Sequence, residues 1–132
     1  VREDADLVED VQHLIATYPP ATMDRDYLFV EAKDGVVTLR GHTHSRITRR
    51  YLEDQVPRLP FVRDVNVDEL YDDDTLRLQI GRATPAGVQV AQIYYGRVVL
   101  AGKVPEGYDE AHIVEKVAAI PGVVKVLTAF RD

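Results

Sequence analysis

The segment Gly35-Val36-Val37-Thr38-Leu39-Arg40-Gly41 returns, lightly edited, as Gly96-Arg97-Val98-Val99-Leu100-Ala101-Gly102. The opening glycines, 35 and 96, set an offset of 61. The same offset carries Pro60 to Pro121, Val62 to Val123 and Val65 to Val126. Between these anchors Leu52, Val56 and Leu59 fall on Ile113, Val117 and Ile120. A register kept without a gap over about thirty residues marks an internal duplication. A chain of 132 residues suits one average domain or two very small ones. The duplication selects two, with an expected division into 1–69 and 70–132.

Each part of the repeat has a physical job. Asp34-Gly35, between two apolar runs, predicts a tight hairpin, because a two-residue turn needs positive φ. Tyr95-Gly96 predicts the same turn with a poorer first residue. The flanking segments are rich in Val, Leu, Ile and Tyr and read as strands. Leu52, Val56 and Leu59 make one apolar stripe at helical spacing. Ser45 and Asp109 stand where N-caps belong, and Pro60 and Pro121 follow the stripe and stop the helix. Final strands are expected in "FVRDVNV" and "GVVKVLTAF". Upstream, Leu7, Val8, Val11, Leu14 and Ile15 predict a helix capped by Asp4 or Asp6 and ended by Pro19-Pro20. Its counterpart in the second copy is "DDTLRLQIGRA". There Leu76, Leu78 and Ile80 alternate like a strand, whereas Asp72-Asp73-Asp74 looks like a helix start. The repeat requires a helix over 74–83. The first copy has the longer connection to its hairpin, around "PPATMDRD". Each unit therefore reads helix–strand–strand–helix–strand, an α+β order. So small a unit has a thin core, and the two are expected to pack so as to cover an open sheet face or edge.

Composition bounds the function. Hydrophobic residues make up 45% and charged residues 29%, the mix of a globular protein. No apolar run approaches the roughly 20 residues that span a bilayer. "VREDADLVEDV" lacks the apolar core of a secretion signal, and the first residue is Val1. A processed or excised chain is the expectation. There is no cysteine, so disulfides and thiolate chemistry are out. A net charge of −6 argues against nucleic acid as a partner.

"DGVVTLRG" with a following helix and "LPFVRDV", and its second-copy echo closing in "IPGVVKV", resemble the BON domain, twice over nearly the whole chain. Phe61 stands where the family has Gly, as Gly122 does in the second copy, and Tyr95 stands where Asp is usual. The second copy's first helix is short and contains Gly81. The resemblance implies that each αββαβ unit is a three-stranded mixed sheet with two helices on one face. It also implies a bacterial, periplasmic or envelope-associated protein, the cytoplasm being the other possibility, similar to the osmotically induced periplasmic tandem proteins. The family attaches to phospholipid or other envelope components. Other members bind potassium or serve as interaction modules. It supplies no catalytic residues, and nothing here pairs as general acid and base or forms a phosphate loop. The expectation is a non-enzymatic module without cofactor.

Arg40, Arg46, Arg49, Arg50, Arg58 and Arg63 face only Glu53 and Asp54 between residues 40 and 63. Such asymmetry suits an anionic lipid headgroup or an acidic protein partner. The binding residues expected are Arg40, Arg46, Arg49 and Arg50, with Met23 and Tyr27 as apolar loop contacts. The bland alternative is a solvated helix face with self-paired charges. His42-Thr43-His44 is the one metal-like string, since both rings of such a strand share a side. No third ligand is evident and the second copy has Lys103 and Pro105 there. Two solvent-facing histidines, and no metal, is the expectation. Asp34, Gly35, Gly41, Gly96, Gly102 and Gly122 are assigned to turns.

Overall fold

The computed structural model describes residues 3–132. The first unit comprises α1 (Asp4–Thr17), the short turn α2 (Pro19–Thr22), β1 (Leu28–Lys33), β2 (Val36–Thr43), α3 (Arg46–Gln55), β3 (Asp64–Asn66) and β4 (Leu70–Asp72). The second comprises α4 (Asp73–Ala83), β5 (Val88–Tyr94), β6 (Arg97–Gly102), α5 (Glu110–Ala118) and β7 (Lys125–Phe130). In both, an antiparallel hairpin is joined by a parallel third strand. Val37 lies opposite Val65 and Val98 opposite Val126, so the sequence offset is also the structural register. Strand β4 pairs with the far end of β2, in line with β3 on the same edge. The first sheet is thus three strands wide with a broken third strand.

The strands alternate as half-buried strands must. Val37 and Leu39 point to one core, with Val11 and Ile15 of α1 and Leu52 of α3. Val98 and Leu100 point to the other, with Ile80 of α4 and Ile113 and Val117 of α5. Both helices of a unit lie on one face of its sheet. The opposite faces are not covered by the neighbouring unit: Phe29 stays 49% and Leu127 51% exposed. What the second unit buries against the first is instead the tip of its hairpin.

The ambiguous segment is helical. Leu76 and Ile80, four apart, are buried, whereas Leu78 is exposed. Burial, not the alternation of apolar letters, identifies the inner stripe, and each such side chain contributes about 1.5–3 kcal/mol. Asp72 caps α4 by accepting from Thr75 N at 2.7 Å. Ser45 and Asp109 cap α3 and α5 as expected. The expectation for α1 is corrected: Glu3 holds the cap position without a side-chain bond, and Asp4 and Asp6 lie in the first turn. Asp4 reaches the hairpin turn instead, its Oδ2 accepting from Asp34 N at 3.3 Å. Asp73 does the same in the second unit, accepting from Tyr95 N at 2.7 Å and Gly96 N at 3.0 Å. The α3 helix ends at Gln55, before Pro60, and passes into a 3-10 turn over Val56–Arg58 that contains Pro57.

Candidate functional site

The two units are joined by a plug and a socket. Tyr95 occupies the first turn position of the second hairpin at φ 49°, in the left-handed region that bulky residues avoid. It is 5% exposed. Its ring stacks on Tyr27 at 3.7 Å, and its hydroxyl donates to Asp24 Oδ1 at 2.5 Å. Asp24, fully buried, also accepts from His44 Nδ1 at 2.8 Å. Burial first, and the Asp24 carboxylate second, hold the Tyr95 phenol well above its ordinary value. These contacts offset a backbone strain of about 1–3 kcal/mol. Nearby, His42 Nε2 donates to Gly122 O at 2.6 Å. A Cβ on Gly122 would come within 2.6 Å of the Tyr71 ring, so only glycine lets these segments meet.

The acidic run completes the joint. Asp72 takes Arg49 at 2.8 Å while capping α4. Asp74 accepts from the backbone N–H of Arg46, the first residue of α3. Asp73 points back to its own hairpin. Its carboxyl is pushed up by burial, against the opposing pull of the two turn N–H groups. Three adjacent carboxylates therefore have three different partners, and the helix of one unit is tied to the helix of the other.

Above this joint lies an open cleft of about 460 Å³. Tyr27, Phe29, Arg40 and His42 line it from the first hairpin and its approach, Tyr71 from β4, and Arg97 and Val124 from the second unit. Arg40 lies over the Phe29 ring at 4.8 Å and meets Glu31 at 3.4 Å; Arg97 lies over Tyr27 at 5.7 Å. Asp26 and Glu69 also line it, so two guanidiniums on aromatic faces and two carboxylates make an amphipathic surface of mixed charge that can take an extended chain.

A family model for the BON domain matches residues 3–70 and again residues 72–131. The chain belongs to the BON domain family. Among solved structures, the C-terminal domain of CdsD, the structural protein of the type III secretion system of Chlamydia trachomatis, is similar with a TM-score of 0.77. The identity is 14%, over 98% of this chain and 67% of that one. A second structure, from structural studies of CdsD of Chlamydia trachomatis, gives a TM-score of 0.36 at 16% identity, over 95% and 91% of the two chains. No curated protein matches the chain.

In this BON tandem the expected binding residues separate. Tyr27 and Arg40 line the cleft. Arg46 and Arg50 are exposed on α3, and Met23 is 68% exposed on the connecting loop. Arg49 is engaged between Asp72 and Glu53, with its Nε 3.4 Å from Glu53. The solvent-facing reading of the histidines is corrected: both hydrogen-bond across or beside the joint, His42 to Gly122 and His44 to Asp24. Among the described residues no group of three or more His, Cys, Asp or Glu is placed to hold a metal. The two hairpin turns have positive φ at both positions, Asp34-Gly35 and Tyr95-Gly96, and Gly122 lies in a turn. The turn assignment of Gly41 and Gly102 is corrected: both lie in strands, β2 and β6, where a Cβ would strike the backbone leading into the neighbouring strand. Sequence reasoning read Asp72, Asp73 and Asp74 as a helix start, and Asp72 does cap α4, but it missed Asp24, the ties of Asp72 and Asp74 to α3, and the role of Tyr95. The chain carries two signals of them: the extra loop of the first copy, which holds Asp24, and an aromatic where a turn prefers Asp.

Proposed function

We propose that this BON tandem is a non-catalytic attachment module of a bacterial envelope assembly, holding a segment of a partner protein in the cleft between its units. The observation that carries the reading is the joint. A buried network fixes the units so that Tyr27, Phe29 and Arg40 of one face Arg97 and Val124 of the other. Preorganisation of this kind lowers the cost of binding. The likeness to a structural protein of a secretion system supports protein attachment only as a shared fold.

The test is a photo-crosslinking amino acid at Phe29, with Tyr108, exposed at 58%, as the remote control. The reading expects protein adducts from Phe29 that vanish with Arg40→Ala and Arg97→Ala, and none from Tyr108. Equal adducts from both positions would remove it. A second reading, lipid-surface attachment, rests on Ile47, 73% exposed on α3 between Arg46 and the nearby Arg50. It expects flotation with anionic but not neutral vesicles, weakened by Arg46→Glu with Arg50→Glu and by salt.

A further inference from the structure

Each unit has a turn end, made by its hairpin tip and the loop before its last strand, and an opposite end where its second strand finishes. The joint seats the turn end of the second unit on the opposite end of the first. This is a heterologous contact, using two different surfaces of one repeated design. The turn end of the first unit and the opposite end of the second are therefore the unused halves of the same joint.

The unused halves depart from the used ones in matched pairs. Strand pairing gives the equivalences: Gly41 lies opposite Leu28 and Leu70, and Gly102 lies opposite Val88 and Phe130. Gly87 therefore stands for Tyr27, Lys103 for His42 and Arg131 for Tyr71. On the turn end, Asp34 stands for Tyr95 and Phe61 for Gly122. Inside the molecule a ring on the tip meets a ring in the socket. At the free ends both rings are absent, replaced by Asp34 and by Gly87. Inside, the bare Gly122 lies under the Tyr71 ring. At the free ends the side chain is on the other partner: Phe61 carries a ring, and Arg131 offers a flexible guanidinium that can lie on it. Inside, His42 donates to the Gly122 carbonyl. At the free end Lys103 is the donor in the equivalent place, matched to the Phe61 carbonyl as His42 is to that of Gly122.

Charge and strain agree. Glu3, Asp4 and Asp34 line an open hollow of about 730 Å³ with Phe61 and one cation, Arg63, which donates to the Asp34 carbonyl, so carboxylates outnumber cations there. Lys103 and Arg131 supply the opposite sign at the other end. Phe61 holds φ 71° and is 60% exposed, and among the described residues no aromatic or cationic side chain stacks on its ring to offset the strain. We infer that the chain associates head to tail with further copies of itself, the Phe61 end of one seated on the Lys103–Arg131 end of the next. This goes beyond the cleft reading and does not depend on it.

The experiment is sedimentation of the purified chain from micromolar to about 1 mM at low and high salt. Two double variants accompany it, Asp34→Asn with Phe61→Gly at one end and Lys103→Ala with Arg131→Ala at the other. The first should fold at least as well as the parent, because Asn-Gly suits the turn and glycine suits a positive φ. The expected result is a mass that rises with concentration above 14.9 kDa and falls with salt. Each variant alone should associate at least about tenfold more weakly, while an equimolar mixture should stop at a dimer. A parent chain that stays monomeric throughout overturns the inference. So does a variant that assembles like the parent, or a mixture that grows no dimer.

Discussion

The two hairpin tips of this molecule were built to one plan and now live in different surroundings. The first, Asp34-Gly35, is open to solvent beside an exposed Phe61. The second, Tyr95-Gly96, is buried against the neighbouring unit above Gly122. Both turns have the same backbone, and both hold their first N–H on an aspartate from the first turn of the preceding helix. The difference is confined to side chains that point out of the unit. Asp34 suits a solvated turn; Tyr95 strains the turn and gains a stacked ring and a buried hydrogen bond. A repeat can thus keep its interior and change its partner by altering two positions at one end.

The largest test of that contrast is Tyr95→Ala against Asp34→Ala. Removing the buried ring, and one donor to buried Asp24, should cost about 3–5 kcal/mol in denaturant unfolding. The change at the exposed tip should cost below about 1 kcal/mol. Equal losses would mean that the second tip is not the seat of the joint. Next is Arg49→Met against Arg50→Met. The first leaves the buried Asp72 carboxylate short of its cation and should cost about 2–3 kcal/mol. The second, on the exposed face of the same helix, should stay within about 0.5 kcal/mol.

Alkaline pH sharpens the comparison further. The Tyr95 phenol binds its proton more tightly folded than unfolded. Its contribution is therefore complete below its ordinary value of 10.0 and is lost as pH rises toward the folded value. The expected slope from this group is at most about 1.4 kcal/mol per pH unit above pH 10, and Tyr95→Phe should flatten it. Urea midpoints at stepped pH measure it; an unchanged slope in the variant would assign the effect to other tyrosines. The smallest effect concerns the loops before the last strands. Phe61→Gly should raise stability by about 1 kcal/mol by relieving positive φ. Gly122→Ala should lower it by about 1–3 kcal/mol, through both strain and the Tyr71 ring. Thermal melts that moved both variants the same way would contradict the roles given to these two loops.

Read alone, the sequence settled whatever depends on neighbours along the chain. The 61-residue echo gave the duplication, the turn glycines gave the hairpins, and the apolar stripes and caps gave helices down to Ser45 and Asp109. It also carried the resemblance to the BON family, because that pattern is itself local. It determined the helix over 74–83 only by analogy with the first copy, since three alternating apolar letters suit strand and helix alike. It offered Arg40, Tyr27 and Arg49 alike as binding candidates and could not tell that the first two line the cleft while Arg49 is engaged in ion pairs. Exposure of an arginine depends on what the fold brings to it, and Asp72 ends the second of two strand segments that follow α3. Only the tertiary structure decided that Asp24 and His44 meet, that Tyr95 is a plug, and that three consecutive aspartates serve three masters. Those are contacts between residues up to 71 positions apart. Their geometry is fixed by how two packed cores abut, and no periodicity in the chain encodes it.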